Sequence, residues 1–341
     1  MNLETTATYD AVHEEFELHT PHAAAQKNWI SFAAKHAEMA VVFAQLVTPE
    51  GESEGVHAFL VTLRKGGKPV GGVRIEDQGH KPCINGNDNG RLFFNGLRVP
   101  RGALLDRYAS MSKGGKYEGT IPKVRDRFLK VSDQLMSGRM AIAACSVVLA
   151  KLAVTSAIRF SVERQQKTGG AKSTTTVPLY NHQTQRRALL LELARCYAFT
   201  AGVTATKAEY ADMVLEKGTQ ATDIVIRNVC AFKAYCTQWA VGATSTCREK
   251  LGGQGLISAN RISDLNAVAA SLVVVEGDSM VLGQKVAGEL LQSATGGKKS
   301  ITAALTSLAV GWCRFAATCA SIPLLSSPRA LTTALLRSRV H

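Results

Sequence analysis

The sequence predicts an α+β protein: a small antiparallel β-barrel domain followed by an antiparallel α-helical bundle. Three observations carry that expectation. Up to about Leu105 the apolar residues come in short runs rich in β-branched and aromatic types, separated by turn formers. From about Ser132 they recur at helical spacing with charge between them. Aromatic residues are only 6% of a chain that is 46% hydrophobic, so Ala, Val, Leu and Gly must do the packing, which suits closely approaching helices.

At 341 residues the chain is long enough for about two domains. The strand-like runs are Phe16 to His19, Met39 to Leu46, Val56 to Leu63, Val70 to Ile75 and Arg91 to Val99. Pro49-Glu50-Gly51, Lys65-Gly66-Gly67 and the stretch Asn85 to Gly90 punctuate them, and with no helical segment between them they read as a barrel or sandwich over 1–115. Helical segments near 132–165, 181–216, 221–250 and 278–294 read as a four-helix bundle over 130–295, with Lys167 to Thr176 as an exposed loop between the first two. One more helical stretch is expected over 300–319. The long apolar run from Met140 to Ile158 contains Lys151 and follows Arg139, which argues for a bundle helix and against a membrane span.

Composition narrows the function classes. The net charge of +13 calls for an anionic partner, but no block of five or more Lys and Arg occurs and no aromatics interleave with basic residues, so a polyphosphorylated small molecule explains the charge better than nucleic acid. The eight cysteines, at 83, 145, 196, 230, 236, 247, 313 and 319, fall mostly in apolar helical patterns without a C-x-x-C pair and read as free, buried thiols of a reducing compartment. The eight histidines show no metal-ligand spacing, so no metal is expected. Met1 to Asp10 has no apolar signal region, and the C-terminal Arg337-Ser338-Arg339-Val340-His341 is not a Ser-Lys-Leu address.

A few residues stand out chemically. Glu276 follows the apolar run Val273-Val274-Val275 and precedes Gly277. A carboxylate in such surroundings is a solvated charge opening a helix, or a group paired or assigned to proton chemistry. Gly252, Gly253 and Gly255 close a helix, and the residue type fits either a helix stop or close backbone approach to a phosphate or planar ring. Arg164 fits either a helix C-terminal cation or a bidentate phosphate ligand, and Trp29, near Ser31, either packing or a cofactor wall. Arg139, at the head of an apolar helix, needs a partner if buried, with the Glu276 carboxylate or a ligand as candidates.

Taken in order, several motifs resemble those of acyl-CoA oxidases, a flavoenzyme family related to the acyl-CoA dehydrogenases. They are Leu3 to Asp10, Ala40 to Leu46, Gly55 to Leu60, Asn85 to Arg91 with Arg98 to Arg101, Cys247-Arg248-Glu249 with Gly252 to Gly255, and Glu276-Gly277-Asp278. The resemblance covers about residues 3–295. It implies a β-barrel middle domain before the bundle, FAD as cofactor and a fatty acyl-CoA substrate. By position Glu276 matches the base that removes the α-proton, Trp29 and Ser31 the flavin wall, and Gly252, Gly253 and Gly255 the segment against the cofactor. Arg164 matches the arginine that reaches the flavin pyrophosphate of a neighbouring subunit, and Arg139 is the candidate substrate-binding residue. Electrons would pass to dioxygen with release of hydrogen peroxide, in a peroxisome, or in the cytoplasm of a bacterium, and in a homodimer. Lys167, Val275, Ser279-Met280 and Gly288 depart from the family pattern. Family chains also carry a helical domain before the Leu-Glu-Thr-Thr motif and a longer second helical domain, so the resemblance implies truncation at both ends, with 296–341 as the start of the latter.

Overall fold

The computed structural model describes residues 3–124, 127, 135–169, 174–216 and 222–295. The expected helix over 300–319 and the segment 296–341 lie outside them. The chain is α+β and divides into two units, residues 1–134 and 135–341.

In the first unit, β1 (Thr6–Asp10) and β2 (Glu15–His19) form a hairpin, followed by β3 (Lys27–Ile30) and the long hairpin of β4 (Met39–Val47) and β5 (Ser53–Thr62). Next come the short pair β6 (Arg64–Lys65) and β7 (Lys68–Pro69), then β8 (Val73–Asp77), β9 (Gly90–Phe94), β10 (Leu97–Pro100), and a pair β11 (Ala109–Met111) and β12 (Tyr117–Gly119). The larger ladders are a sheet of order β10-β2-β1-β4-β5 and a second of order β3-β9-β8. One pair, β1 with β4, is parallel, an exception to the antiparallel expectation. Parallel neighbours need a long crossover, and the stretch between these two strands, which holds β2 and β3, supplies it.

The run Arg91 to Val99 proves to be two strands. Gly96, at φ +63°, turns the chain so that β9 stays in one sheet and β10 enters the other. Alternate residues of β2, β4 and β9 are buried, which gives each sheet one apolar face. Between these faces lie Tyr9, Phe16, Phe59, Leu92 and Phe94. Phe16 meets Tyr9 at 4.9 Å and the edge of Phe59 at 5.1 Å between ring centroids.

The second unit has five helices among the described residues, where four were expected: α1 (Leu135–Glu163), α2 (Gln183–Ala211), α3 (Asp223–Lys250), α4 (Ile262–Leu272) and α5 (Ser279–Thr295). A short hairpin, β13 (Gln165–Lys167) with β14 (Thr176–Pro178), forms the described part of the predicted loop. Helix α3 is the centre of the bundle and packs on each of the other four. Its N-cap is Thr222, whose hydroxyl accepts from the amide of Val225. On α1 the buried positions Met136, Met140, Ala143, Val147, Ala150, Val154, Ala157 and Ser161 alternate steps of four and three, a stripe whose small members let α3 approach closely. Two helical stretches, Leu135–Glu163 and Gln183–Val214, are long and apolar enough to cross a membrane by length and composition; here both belong to the bundle.

The described cysteines are free thiols. Cys196, Cys230, Cys236 and Cys247 are buried, whereas Cys145 on α1 is exposed and Cys83 is half-buried. Burial pushes the thiols of Cys196, Cys236 and Cys247 up to about 12.

Phe59 is fully buried between the two apolar faces. Phe59→Ala is expected to lower the stability of the first unit by about 3–5 kcal/mol, read as an earlier urea midpoint with little change in slope.

Candidate active site

Glu276 lies in the connection between α4 and α5 rather than in the first turn of a helix. The expectation of a helix-start charge is corrected by Asp278, whose Oδ1 accepts from the amide of Met280 at 2.8 Å and from that of Val281 at 3.4 Å, making it the N-cap of α5. Glu276 itself has φ +58° and Gly277 has φ +102°. A left-handed non-glycine residue costs roughly 1–2 kcal/mol and persists where its surroundings over-determine it.

The Glu276 side chain lies against Gly138 on α1. A Cβ at position 138 would sit 2.7 Å from the carboxyl carbon and 2.8 and 3.0 Å from its oxygens, so only glycine leaves room for the carboxylate there. Neither carboxylate oxygen has a hydrogen-bond or ion-pair partner among the described residues, and the residue is half-buried. Arg139, the next residue of α1, does not pair with the carboxylate as the sequence allowed. Its Nε donates to the main-chain carbonyl of Glu276 at 3.1 Å, and its Nη1 lies 3.5 Å from Met136 Sδ and 3.6 Å from Cys230 Sγ.

The connection hangs on a residue that sequence reasoning passed over. Lys233 of α3 is completely buried, and its Nζ donates to the carbonyls of Val273 at 2.7 Å and Gly277 at 2.5 Å and to Ser279 Oγ at 3.3 Å. Three acceptors match the three N–H bonds of an ammonium. Val273 is the C-cap of α4, so the lysine meets one of the carbonyls that a helix end leaves unpaired. Ser279 closes the same loop, with its amide donating to Val273 O at 3.1 Å and its hydroxyl to the same oxygen at 2.9 Å. Thr237, one turn beyond Lys233, shares a 2.9 Å hydroxyl bond with Ser279. Desolvation pulls the Lys233 ammonium down to about 8, opposed by Asp278, reinforced by Arg139 and opposed again by Glu276. The signal available in the sequence was a lysine set in the apolar stretch Cys230-Ala231-Phe232-Lys233-Ala234.

The other candidates are distributed over both units. Gly252, at φ +57°, follows the C-cap Leu251 and ends α3 as a left-handed stop. Gly253 is exposed with open space where a side chain would be, and Gly255 is buried so tightly on the Arg248 carbonyl that a Cβ would collide with it. Arg164 is exposed just past the end of α1, and its guanidinium has no partner among the described residues. In the first unit Trp29, at φ +59°, is 55% exposed, and Ser31 Oγ accepts from Asn87 Nδ2 at 3.3 Å. The loop after Ser31 is held by Asp88, which accepts from the amides of Lys35 and His36, and by buried Arg64, which donates to the carbonyls of Ala33, Ala34 and Ala37.

Residues 133–291 match the family described as acyl-CoA oxidase, C-alpha1 domain. The chain is 37% identical over 297 residues to acyl-coenzyme A oxidase 2, peroxisomal, of Arabidopsis thaliana, covering 85% of this chain and 43% of that protein. Acyl-CoA oxidase-1 of Caenorhabditis elegans, solved in complex with FAD and ATP, superposes with a TM-score of 0.77 at 32% identity, over 86% of this chain and 43% of that one. Acyl-CoA oxidase-2 of the same organism, bound with FAD, ascaroside-CoA and ATP, gives 0.79 at 29% identity, over 87% and 45%. The chain thus spans less than half the length of these relatives.

The low affinity of Lys233 for its proton has a signed consequence for stability. The folded chain releases this proton near pH 8 and the unfolded chain near the ordinary 10.5, so between those values the unfolded state binds more protons and unfolding becomes harder as pH rises. Cys196, Cys236 and Cys247 act oppositely above about pH 9, their ordinary value, because the folded chain keeps their protons longer. That contribution is common to wild type and Lys233→Met and cancels in their difference. Urea unfolding at a series of pH values is therefore expected to show the wild type gaining on Lys233→Met from pH 8 to 10.5. Parallel curves would contradict the assignment.

Proposed function

Because the chain belongs to the acyl-CoA oxidase family, we propose that it performs, or forms the base-bearing part of, the FAD-dependent α,β-dehydrogenation of a fatty acyl-CoA to the trans-2-enoyl-CoA, with Glu276 as the base. The observation that carries this reading is the Glu276 carboxylate, laid into the space left by Gly138 without a hydrogen-bond or ion-pair partner among the described residues. A base must have a free oxygen to accept a proton, and a carboxylate held by a cation or by several N–H groups would be a poor one.

The residues present fit the cofactor. Arg164 offers a guanidinium exposed and without a partner among the described residues, suited to a pyrophosphate, Gly253 offers open backbone, and Trp29 an exposed indole. We assign Arg164, Gly252, Gly253, Gly255, Trp29 and Ser31 to holding FAD, with Arg164 serving the flavin of a second subunit in a homodimer. When bound, FAD supplies the acceptor for the hydride from the substrate β-carbon, and dioxygen reoxidises it with release of hydrogen peroxide. The protein's own part is proton removal. Glu276 takes the α-proton of the thioester, and its main-chain N–H is the donor available to the thioester carbonyl as charge develops there. Arg139 engages the Glu276 carbonyl, in the peptide that follows, and so acts on the substrate through the orientation of the base. An excess of positive charge in the chain suits a substrate whose CoA part carries phosphates. The peroxisomal location of the Arabidopsis relative supports a peroxisome as the site of action.

The test is the chain reconstituted with FAD. Anaerobic addition of a fatty acyl-CoA is expected to bleach the flavin band, and in air, without another acceptor, to release peroxide. Glu276→Gln should lower the bleaching rate by roughly 100-fold or more while FAD remains bound. Unchanged flavin absorbance in the wild type would overturn the reading, and bleaching without peroxide would make the chain a dehydrogenase. Gly138→Ala should leave stability equal or raised by about 0.5–1 kcal/mol, through helix propensity, yet slow bleaching by displacing the carboxylate. Equal rates in that variant would separate Gly138 from the base.

A further inference from the structure

We infer that Lys233 is the positioning residue of this site: its buried ammonium gathers the two ends of the Val273–Ser279 segment and so fixes the left-handed Glu276 backbone that aims the carboxylate at Gly138. The inference rests on the proposed role of Glu276. It is carried by three features of the geometry.

The first is the placement of the acceptors. Nζ bonds Val273 O and Gly277 O, on either side of Glu276, together with Ser279 Oγ at the start of α5. The segment between these anchors has little freedom left once all three are engaged. The second is that Lys233 hydrogen-bonds no carboxylate among the described residues, although Asp278 and Glu276 lie near enough to favour its charge; its partners are main-chain and hydroxyl oxygens, so its N–H bonds serve to orient dipoles. Methionine, of similar length, would fill the space without desolvating a charge, so packing alone does not account for a lysine on this face of α3. The third is the anchorage. Lys233 sits on the helix that packs on all the others, and Thr237 extends the same hydroxyl network to Ser279, so the loop is referenced to the centre of the bundle.

The Ser279 hydroxyl is the third acceptor of the ammonium, and the only one of the three that a side chain supplies.

Hydrogen exchange of the full chain, followed by mass spectrometry, reads the proposal without cofactor or activity. In Lys233→Met, peptides covering 273–282 should exchange roughly tenfold faster or more, while those from the middle of α1 and α3 keep their protection. Ser279→Ala should show a smaller effect in the same peptides, and it serves where Lys233→Met does not fold. With FAD bound, the anaerobic bleaching rate of the variant should fall by about 100-fold with the dissociation constant for acyl-CoA nearly unchanged, a split that a general loss of structure would not give. Exchange unchanged over 273–282, or raised evenly across the bundle, would overturn the positioning role. Local loosening in a chain whose wild type never bleaches would leave Lys233 as the anchor of the loop and refute the dehydrogenation reading instead.

Discussion

An ammonium withdrawn from water has to find as many acceptors as it has N–H bonds, and Lys233 finds them in the irregular connection between α4 and α5. The connection between α4 and α5 cannot be a regular element, since its course passes through φ values that a helix or strand excludes. It is held from two directions instead. Lys233 reaches it from α3, and Arg139 reaches the Glu276 carbonyl from α1. The position of the carboxylate thereby becomes a property of how α1 and α3 pack, and that packing is set by the alanine-rich stripe between them. Composition, helix approach and site geometry are linked in this way through two cations.

The same device recurs in the first unit. Arg64 serves three carbonyls of the loop after Ser31, Lys81 Nζ donates to Asn87 O, and Arg101 Nη1 to Met111 O. Each of these cations is satisfied by peptide dipoles, so none of them requires an acidic residue in return. Part of the charge of +13, which composition alone assigns to an external anionic partner, therefore has an internal use. What remains for a ligand is the exposed fraction, to which Arg164 belongs.

Much of the fold was legible because burial imposes a period. Steps of four and three along α1 and alternation along β2, β4 and β9 appear directly in the residue types. The sheet switch at Gly96 was not, because the run from Arg91 to Val99 keeps its apolar character on both sides of the turn. Helix α4 was missed for a similar reason: Val273, Val274 and Val275 prolong its apolar run past its end and disguise the loop. Glu276 could be singled out from sequence, since a carboxylate after valines is unusual, but its conformation could not. Lys233 carries only the weak signal of its apolar neighbours, and its role shows in the convergence of three distant oxygens.

The buried thiols carry a consequence for chemical endurance. Peroxide attacks the thiolate, and a thiol whose pKa stands near 12 presents almost none of it at physiological pH. Cys196, Cys236 and Cys247 are thus protected by the same desolvation that packs α2 and α3. The bundle keeps this sulfur protonated as a by-product of being dense. Cys145, exposed on α1, lies outside that shelter, so oxidative wear on the helical unit would begin at the surface and leave the interior to the last.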